Sequence, residues 1–169
     1  VYQPSTATAA GAVVASFFVK KGTRRYVAVQ IAVDSAAKRF IALFDLDTGL
    51  FVTSNSTGSP TGTGYGITAL ANGWYQIHAT CVSAGTGDDY ALFCFSDSAA
   101  PAYAASICPT YLGAITEYGY TWGGSLEQGA FPSSYIPTTT VAVARNGDVL
   151  SYVGASNIDA TVGTAYAEF

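Results

Sequence analysis

One histidine is present, His78, and it stands beside Trp74 and Gln76 in the run Trp74 to Val82 (WYQIHATCV). A histidine-based nucleophilic centre needs an acid that aligns the ring and a nucleophile that the ring can deprotonate. No G-x-S-x-G elbow occurs, and Cys81, Cys94 and Cys108 fall in strand-like contexts. His78 therefore reads as a surface histidine or a polar ligand contact rather than a catalytic base. Glycosidases work with two carboxylates about 5–10 Å apart. Asp45/Asp47 and Asp88/Asp89 flank glycine-containing turns, where Asp bonds backbone amides. Glu117 and Glu127 bracket one strand and stand too far apart at about 3.3 Å per residue. No enzyme is expected.

Metal and phosphate chemistry fare no better. One histidine and three separated cysteines do not make a zinc site. Loop oxygens from Asp45, Asp47 or Asp148 leave room for a structural calcium, and no other cofactor is expected. Gly62-Thr63-Gly64-Tyr65-Gly66 lacks the G-x-G-x-x-G spacing, and no helical pattern follows it. In an oxidising setting Cys81 and Cys94 are expected to face each other across a hairpin and to pair, leaving Cys108 odd; in a bacterial cytoplasm three reduced thiols are expected.

Saccharide recognition asks for flat rings to stack on a pyranose and planar polar groups to meet its hydroxyls, all held on rigid strands. Arg24, Tyr26, Gln30, Trp74, Gln76 and His78 are residues of that kind. Alternation places them together on outward faces. In Arg24 to Val33, Val27, Val29, Ile31 and Val33 share one face with Arg25, and Arg24, Tyr26, Ala28, Gln30 and Ala32 share the other. In Trp74 to Val82, Tyr75, Ile77, Ala79 and Cys81 look inward, and Trp74, Gln76, His78 and Thr80 look outward. If the two strands lie in one sheet, the six residues form a single ligand face. Trp122 reads as a buried ring.

The elements that must carry these residues are strands. Of 169 residues half are hydrophobic and 11% charged, with 18 glycines, 12 tyrosines and 9 phenylalanines but few helix formers. That mixture suits short strands and tight turns, and the fold class is all-β. Strands are predicted at Ala12 to Lys20, Arg24 to Val33, Arg39 to Leu46, Leu50 to Thr53, Trp74 to Val82, Tyr90 to Phe95 and Tyr118 to Glu127. Tyr90 to Phe95 is expected to hairpin onto Trp74 to Val82. Val1 to Ala10 reads as irregular, Asn55 to Gly66 as a loop, and Phe131 to Thr140 as an extended segment. Three short strands are predicted at Val141 to Ala144, Asp148 to Val153 and Thr164 to Phe169. The expected organisation is one domain over residues 1–140. Residues 141–169 either complete its sandwich or begin a neighbour.

Seven basic against eleven acidic residues give a net charge of −4, which repels a polyphosphate, so no nucleic-acid partner is expected. No apolar run approaches the roughly 18 residues of a membrane span, so no membrane insertion is expected. Methionine is absent; the chain is expected to be a processed product or a piece of a longer protein.

Several segments, in order, resemble known patterns. FFVKKGTRRYVAVQ resembles the "sfwvKa…v.v.l" strand pair of the β-jelly-roll carbohydrate-binding modules of families four, nine and twenty-two. NGWYQIHATC is similar to that group's "gWyrvs.tv" strand, and YTWGGSLE stands where the group has "YIDDVSLE". LEQGAFPSSYIPTTTVAVARNGDV is similar to the "LE.G.FPTSYIPTT…TR.aD" signature of jelly-roll domains in bacteriophage tail-fibre and minor structural proteins. The resemblance covers roughly residues 12 to 149. It implies a two-sheet antiparallel β-sandwich of jelly-roll type and non-catalytic binding of a polysaccharide or oligosaccharide. It also implies a virion-associated or extracellular setting, with a homo-oligomer as a possible assembly. The alternative is a structural virion domain that packs against neighbouring subunits without binding glycan. Trp122-Gly123 replaces the family's aspartate pair, so a calcium site is not carried over.

Overall fold

A computed structural model describes residues 2–5 and 9–137. The predicted strands at 141–144, 148–153 and 164–169 lie outside the described residues. Among the described residues eleven strands follow in order: β1 (Tyr2–Ser5), β2 (Gly11–Lys21), β3 (Tyr26–Val33), β4 (Lys38–Asp45), β5 (Leu50–Thr57), β6 (Gly64–Ala69), β7 (Trp74–Ser83), β8 (Asp89–Ser96), β9 (Ala102–Tyr103), β10 (Pro109–Thr110) and β11 (Gly119–Gln128). The chain is all-β. No helix among the described residues is long and apolar enough to cross a membrane.

Alternation builds the core. Val13, Ala15, Phe17 and Val19 of β2 meet Val27, Val29, Ile31 and Val33 of β3, Phe40, Ala42 and Phe44 of β4, and Ile77, Ala79 and Cys81 of β7. Each set is one face of a period-two strand, so removing these side chains from water fixes the register of all four strands. The inward faces expected for β3 and β7 are the observed ones. Arg25 stands just before β3 and turns outward to Asp45.

Two antiparallel sheets enclose this core as a β-sandwich. One has the order β1-β8-β3-β4-β5, with β3, β4 and β5 as a meander; the other has the order β11-β2-β7-β6. The chain crosses between sheets after β2, β5, β7 and β8. A two-stranded β9–β10 ribbon belongs to the segment 97–118, hereafter the strap.

Four expectations are corrected. β7 and β8 do not form a hairpin within one sheet: β8 pairs with β3, and β7 lies between β2 and β6. Cys81 consequently points into the core and Cys94 does not face it. Residues 55–66 are not wholly loop, because β5 runs on to Thr57 and β6 begins at Gly64; β6 completes the edge of β7, whose backbone groups need partners. The N-terminal stretch contributes β1, which pairs with the open edge of β8, where Pro4 is tolerated in an edge strand. Finally, the outward face of β3 is covered. The strap lays Ile107 and Tyr103 over Ala28, Ile41, Leu43 and Tyr26 in a second, smaller apolar cluster.

Candidate functional site

The six residues singled out from the sequence divide between the two sheets. Arg24, Tyr26 and Gln30 belong to the β3 region, whereas Trp74, Gln76 and His78 belong to β7 in the other sheet. The structure therefore does not bring the six onto one sheet.

The three on the β3 side are occupied. Gln30 is 1% exposed, and its Nε2 donates to the Ser106 carbonyl at 2.6 Å. Tyr26 packs into the cluster beneath the strap, with the Arg25 guanidinium 5.2 Å from its ring centre. Arg24 Nε lies 3.7 Å from Glu117 Oε2, and its guanidinium sits 4.5 Å over the Tyr111 ring. A depression of about 290 Å³ lies beside Gln30 on this sheet, lined also by Arg39, Tyr90, Leu92 and Ser106.

The β7 side differs. Because Val13, Ala15, Phe17 and Val19 point inward, Ser16, Phe18 and Lys20 alternate outward beside the outward residues of β7. The antiparallel register then sets up three rows across the sheet: Tyr120, Lys20 and Trp74; Trp122, Phe18, Gln76 and Thr68; and Ser125, Ser16, His78 and Gly66. Rings occupy one end of this face and small polar groups the other.

Trp122 organises the aromatic end. Its ring stacks on Phe18 at 4.4 Å and 15°, meets Trp74 edge-on at 6.4 Å, and meets Tyr135 edge-on at 5.3 Å. Contrary to the sequence expectation it is not buried but 49% exposed. The cause is a bulge: the β11–β2 register shifts between Trp122 and Ser125. Gly123 there has φ +59°, and a Cβ on it would stand 2.7 Å from the Phe18 ring. The bulge re-aims Trp122 onto the outer face. It also leaves no room for an aspartate at Gly123.

The segment after β11 buttresses this end. Glu127 accepts hydrogen bonds from the Ser133 amide at 2.9 Å and from its hydroxyl, which turns the chain back so that Tyr135 reaches Phe18 and Trp122. The Glu127, Ser133 and Tyr135 positions of LEQGAFPSSYIP thus act together as a clip.

At the polar end, the His78 ring fits against Gly66 where any Cβ would collide with it. Partial burial lowers the pKa of His78 from its ordinary value, so the neutral ring prevails at pH 7. Among the described residues neither an acid nor a nucleophile contacts the ring in the way a catalytic triad requires. Lys20, Gln76 and His78 make no side-chain hydrogen bond or ion pair to other described residues, which leaves an ammonium, an amide and an imidazole beside the rings.

The acids hold turns and strand ends. Asp45 takes a two-pronged contact from Arg25, 2.8 Å from Nε to Oδ1 and 2.6 Å to Oδ2, and also accepts the Asp47 amide. Asp47 pairs with Lys21. Asp34 accepts from the Ala84 amide and the Thr86 hydroxyl and pairs with Lys38, while Asp89 accepts from the Asp34 amide and the Ser83 hydroxyl. Among the described residues no three His, Cys, Asp or Glu side chains gather as a metal-binding group, and Asp148 lies outside them.

Sequence reasoning missed Phe18, Lys20, Tyr120, Trp122 and Tyr135. Alternation along AVVASFFVK does mark Phe18 and Lys20 as outward, and the Gly123-Gly124 pair marks the bulge. Tyr135 carried no local signal, since its place depends on the Glu127–Ser133 turn. No protein-family model matches the chain, and no curated protein matches it as a relative.

Proposed function

We propose that this sandwich is a jelly-roll-type, non-catalytic carbohydrate-binding module, borne on a bacteriophage virion or a similar extracellular particle. One observation supports the reading above all. The outer face of the β11-β2-β7-β6 sheet presents a half-exposed Trp122, held by Phe18, Trp74 and Tyr135, next to Lys20, Gln76 and His78, whose side chains bond none of the other described residues. A saccharide ring stacks its C–H face on Trp122 while its hydroxyls meet the amide, imidazole and ammonium. Prior packing of the rings reduces the ordering that binding would otherwise require. Such a face gives weak single-site affinity, and several copies on one particle raise the effective concentration.

A second reading has its own support. Tyr120 and Trp122 are exposed along β11, an edge strand, Tyr118 is exposed just before it, and Leu112 and Ile115 stand fully exposed nearby in sequence. An apolar edge of that kind suits packing against a neighbouring subunit. Native affinity electrophoresis in gels containing xylan, mixed-linkage glucan, mannan, alginate or bacterial surface glycans separates the two. Retardation by one polymer, abolished in Trp122→Ala, supports glycan binding. Equal mobility in every gel, with sedimentation showing self-association, supports the structural role. Release of reducing ends from any polymer overturns the non-catalytic assignment.

A further inference from the structure

We propose that Cys94 and Cys108 form a reversible disulfide that fastens the strap to the outer face of the β1-β8-β3-β4-β5 sheet. The two sulfurs lie 3.2 Å apart, with the Cys94 thiol donating to Cys108. A disulfide bond is about 2.05 Å long, so the sulfurs need to approach by only about 1.2 Å. Cys81 has no such neighbour and is buried in the core between the sheets.

The surroundings of the pair are built to hold it. Cys94 lies opposite Ala28 in the β8–β3 register, on the face that the strap covers. Cys108 follows Ile107, which is 2% exposed and anchored against Ala28, Ile41 and Leu43. Ile107 has φ +56°, a left-handed conformation that a β-branched residue adopts only when its surroundings impose it. Two backbone bonds close this turn, Ile107 N to Ala104 O at 2.8 Å and Ala104 N to Cys108 O at 3.0 Å. Strained geometry at Ile107 is therefore what delivers the Cys108 sulfur to Cys94. The hydrogen bond from Cys94 favours the Cys108 thiolate, the form that attacks a disulfide, against the opposing effect of burial. A hydrogen bond from Ser106 and the positive charge of Arg39, on the neighbouring depression, add to it.

The chemistry balances with a low-molecular-weight disulfide as oxidant. The Cys108 thiolate attacks one sulfur of that reagent, forming a mixed disulfide and releasing one thiolate. Cys94 then loses its proton and attacks the Cys108 sulfur, forming the internal bond and expelling the second thiolate. Two protein thiols are oxidised, one reagent disulfide is reduced to two thiols, and the two protons pass to the departing thiolates. Both cysteines are only partly buried, so a small reagent has access.

The full chain, purified reduced, is equilibrated across a series of reduced to oxidised glutathione, quenched with acid, alkylated in denaturant so that buried Cys81 also reacts, and mapped by peptide mass spectrometry. The alkylatable thiols are expected to fall from three to one, with a Cys94–Cys108 linked peptide and Cys81 alkylated throughout. In Cys94→Ser the mixed disulfide is expected to persist on Cys108. Three alkylatable thiols across the whole series, a link that includes Cys81, or a stable glutathione adduct on Cys108 of the unsubstituted chain overturns the proposal. The unsubstituted chain decides the matter alone if a variant fails to fold.

Discussion

Trp122 and Phe18 lie ring on ring, 4.4 Å apart, across the β11–β2 pairing, and this contact holds the most exposed tryptophan of the candidate face in one orientation. If Trp122 is the stacking platform, Trp122→Ala weakens glycan retention about tenfold, equivalent to about 1.4 kcal/mol. The fold survives, because the ring it exposes is not part of the core between the sheets. Affinity electrophoresis read beside circular dichroism tests both halves of that expectation.

Tyr26→Ala is expected to behave in the opposite way. Its ring packs beneath the strap with Ala28, Ile41, Leu43 and Ile107, so truncation opens a void rather than removing a ligand contact. Stability falls by roughly 2–3 kcal/mol in urea unfolding, while retention per folded molecule is unchanged. A loss of retention at full stability would return Tyr26 to the ligand face.

These two variants mark where sequence reasoning stops. Period-two alternation correctly separates the faces of β3 and β7, because burying alternate side chains is a local property of a strand. Which sheet each strand joins is not local. The turn after Ser83 links β7 to a strand in the other sheet, and nothing in Gly85-Thr86-Gly87-Asp88 distinguishes that crossing from a hairpin. Covering of the outward β3 face is also non-local, although Ala28 and Ala32 there are small and apolar, as a face packed under another segment requires. Trp122 escaped because its exposure depends on a bulge, which shifts alternation by one residue.

Gly123→Ala tests that bulge directly. A Cβ there meets the Phe18 ring at 2.7 Å, and the backbone sits at φ +59°. The combined strain costs about 1–3 kcal/mol. A lower urea midpoint is expected, together with weaker retention as Trp122 and Phe18 separate. Wild-type behaviour on both counts would mean that the bulge is not what aims Trp122.

Asp45 governs acid stability on the other sheet. Its two hydrogen bonds from Arg25 hold its carboxyl well below the usual carboxylate range, against the opposing effect of burial. A depressed folded pKa means that the stabilisation is complete above the unfolded value of about 3.9 and is lost as pH falls below it. Asp45→Asn is therefore expected to lower Tm at pH 7 and to flatten the decline of Tm below about pH 4. Parallel Tm profiles for the variant and the wild-type chain would remove Asp45 from this role.

His78 gives the cleanest reading of the candidate face, because a chain with one histidine shows one imidazole titration by NMR. Partial burial against Gly66 lowers its pKa from the ordinary value near 6.5. Folding thus favours the neutral ring: the associated stability is present above about pH 6.5 and is lost as pH falls through that value towards the folded pKa. Glycan retention is expected to be flat between pH 7 and 8, since a pKa lowered below its ordinary value keeps the neutral ring predominant across that range. Bound glycan that hydrogen-bonds the neutral ring and further desolvates it should lower the titration midpoint again, and Gln76→Ala should leave the unliganded midpoint unchanged. A midpoint at or above 6.5 in the free protein means that the ring is fully solvated and that its contact with Gly66 does not order it, whereas a midpoint indifferent to saturating glycan places His78 outside the contact.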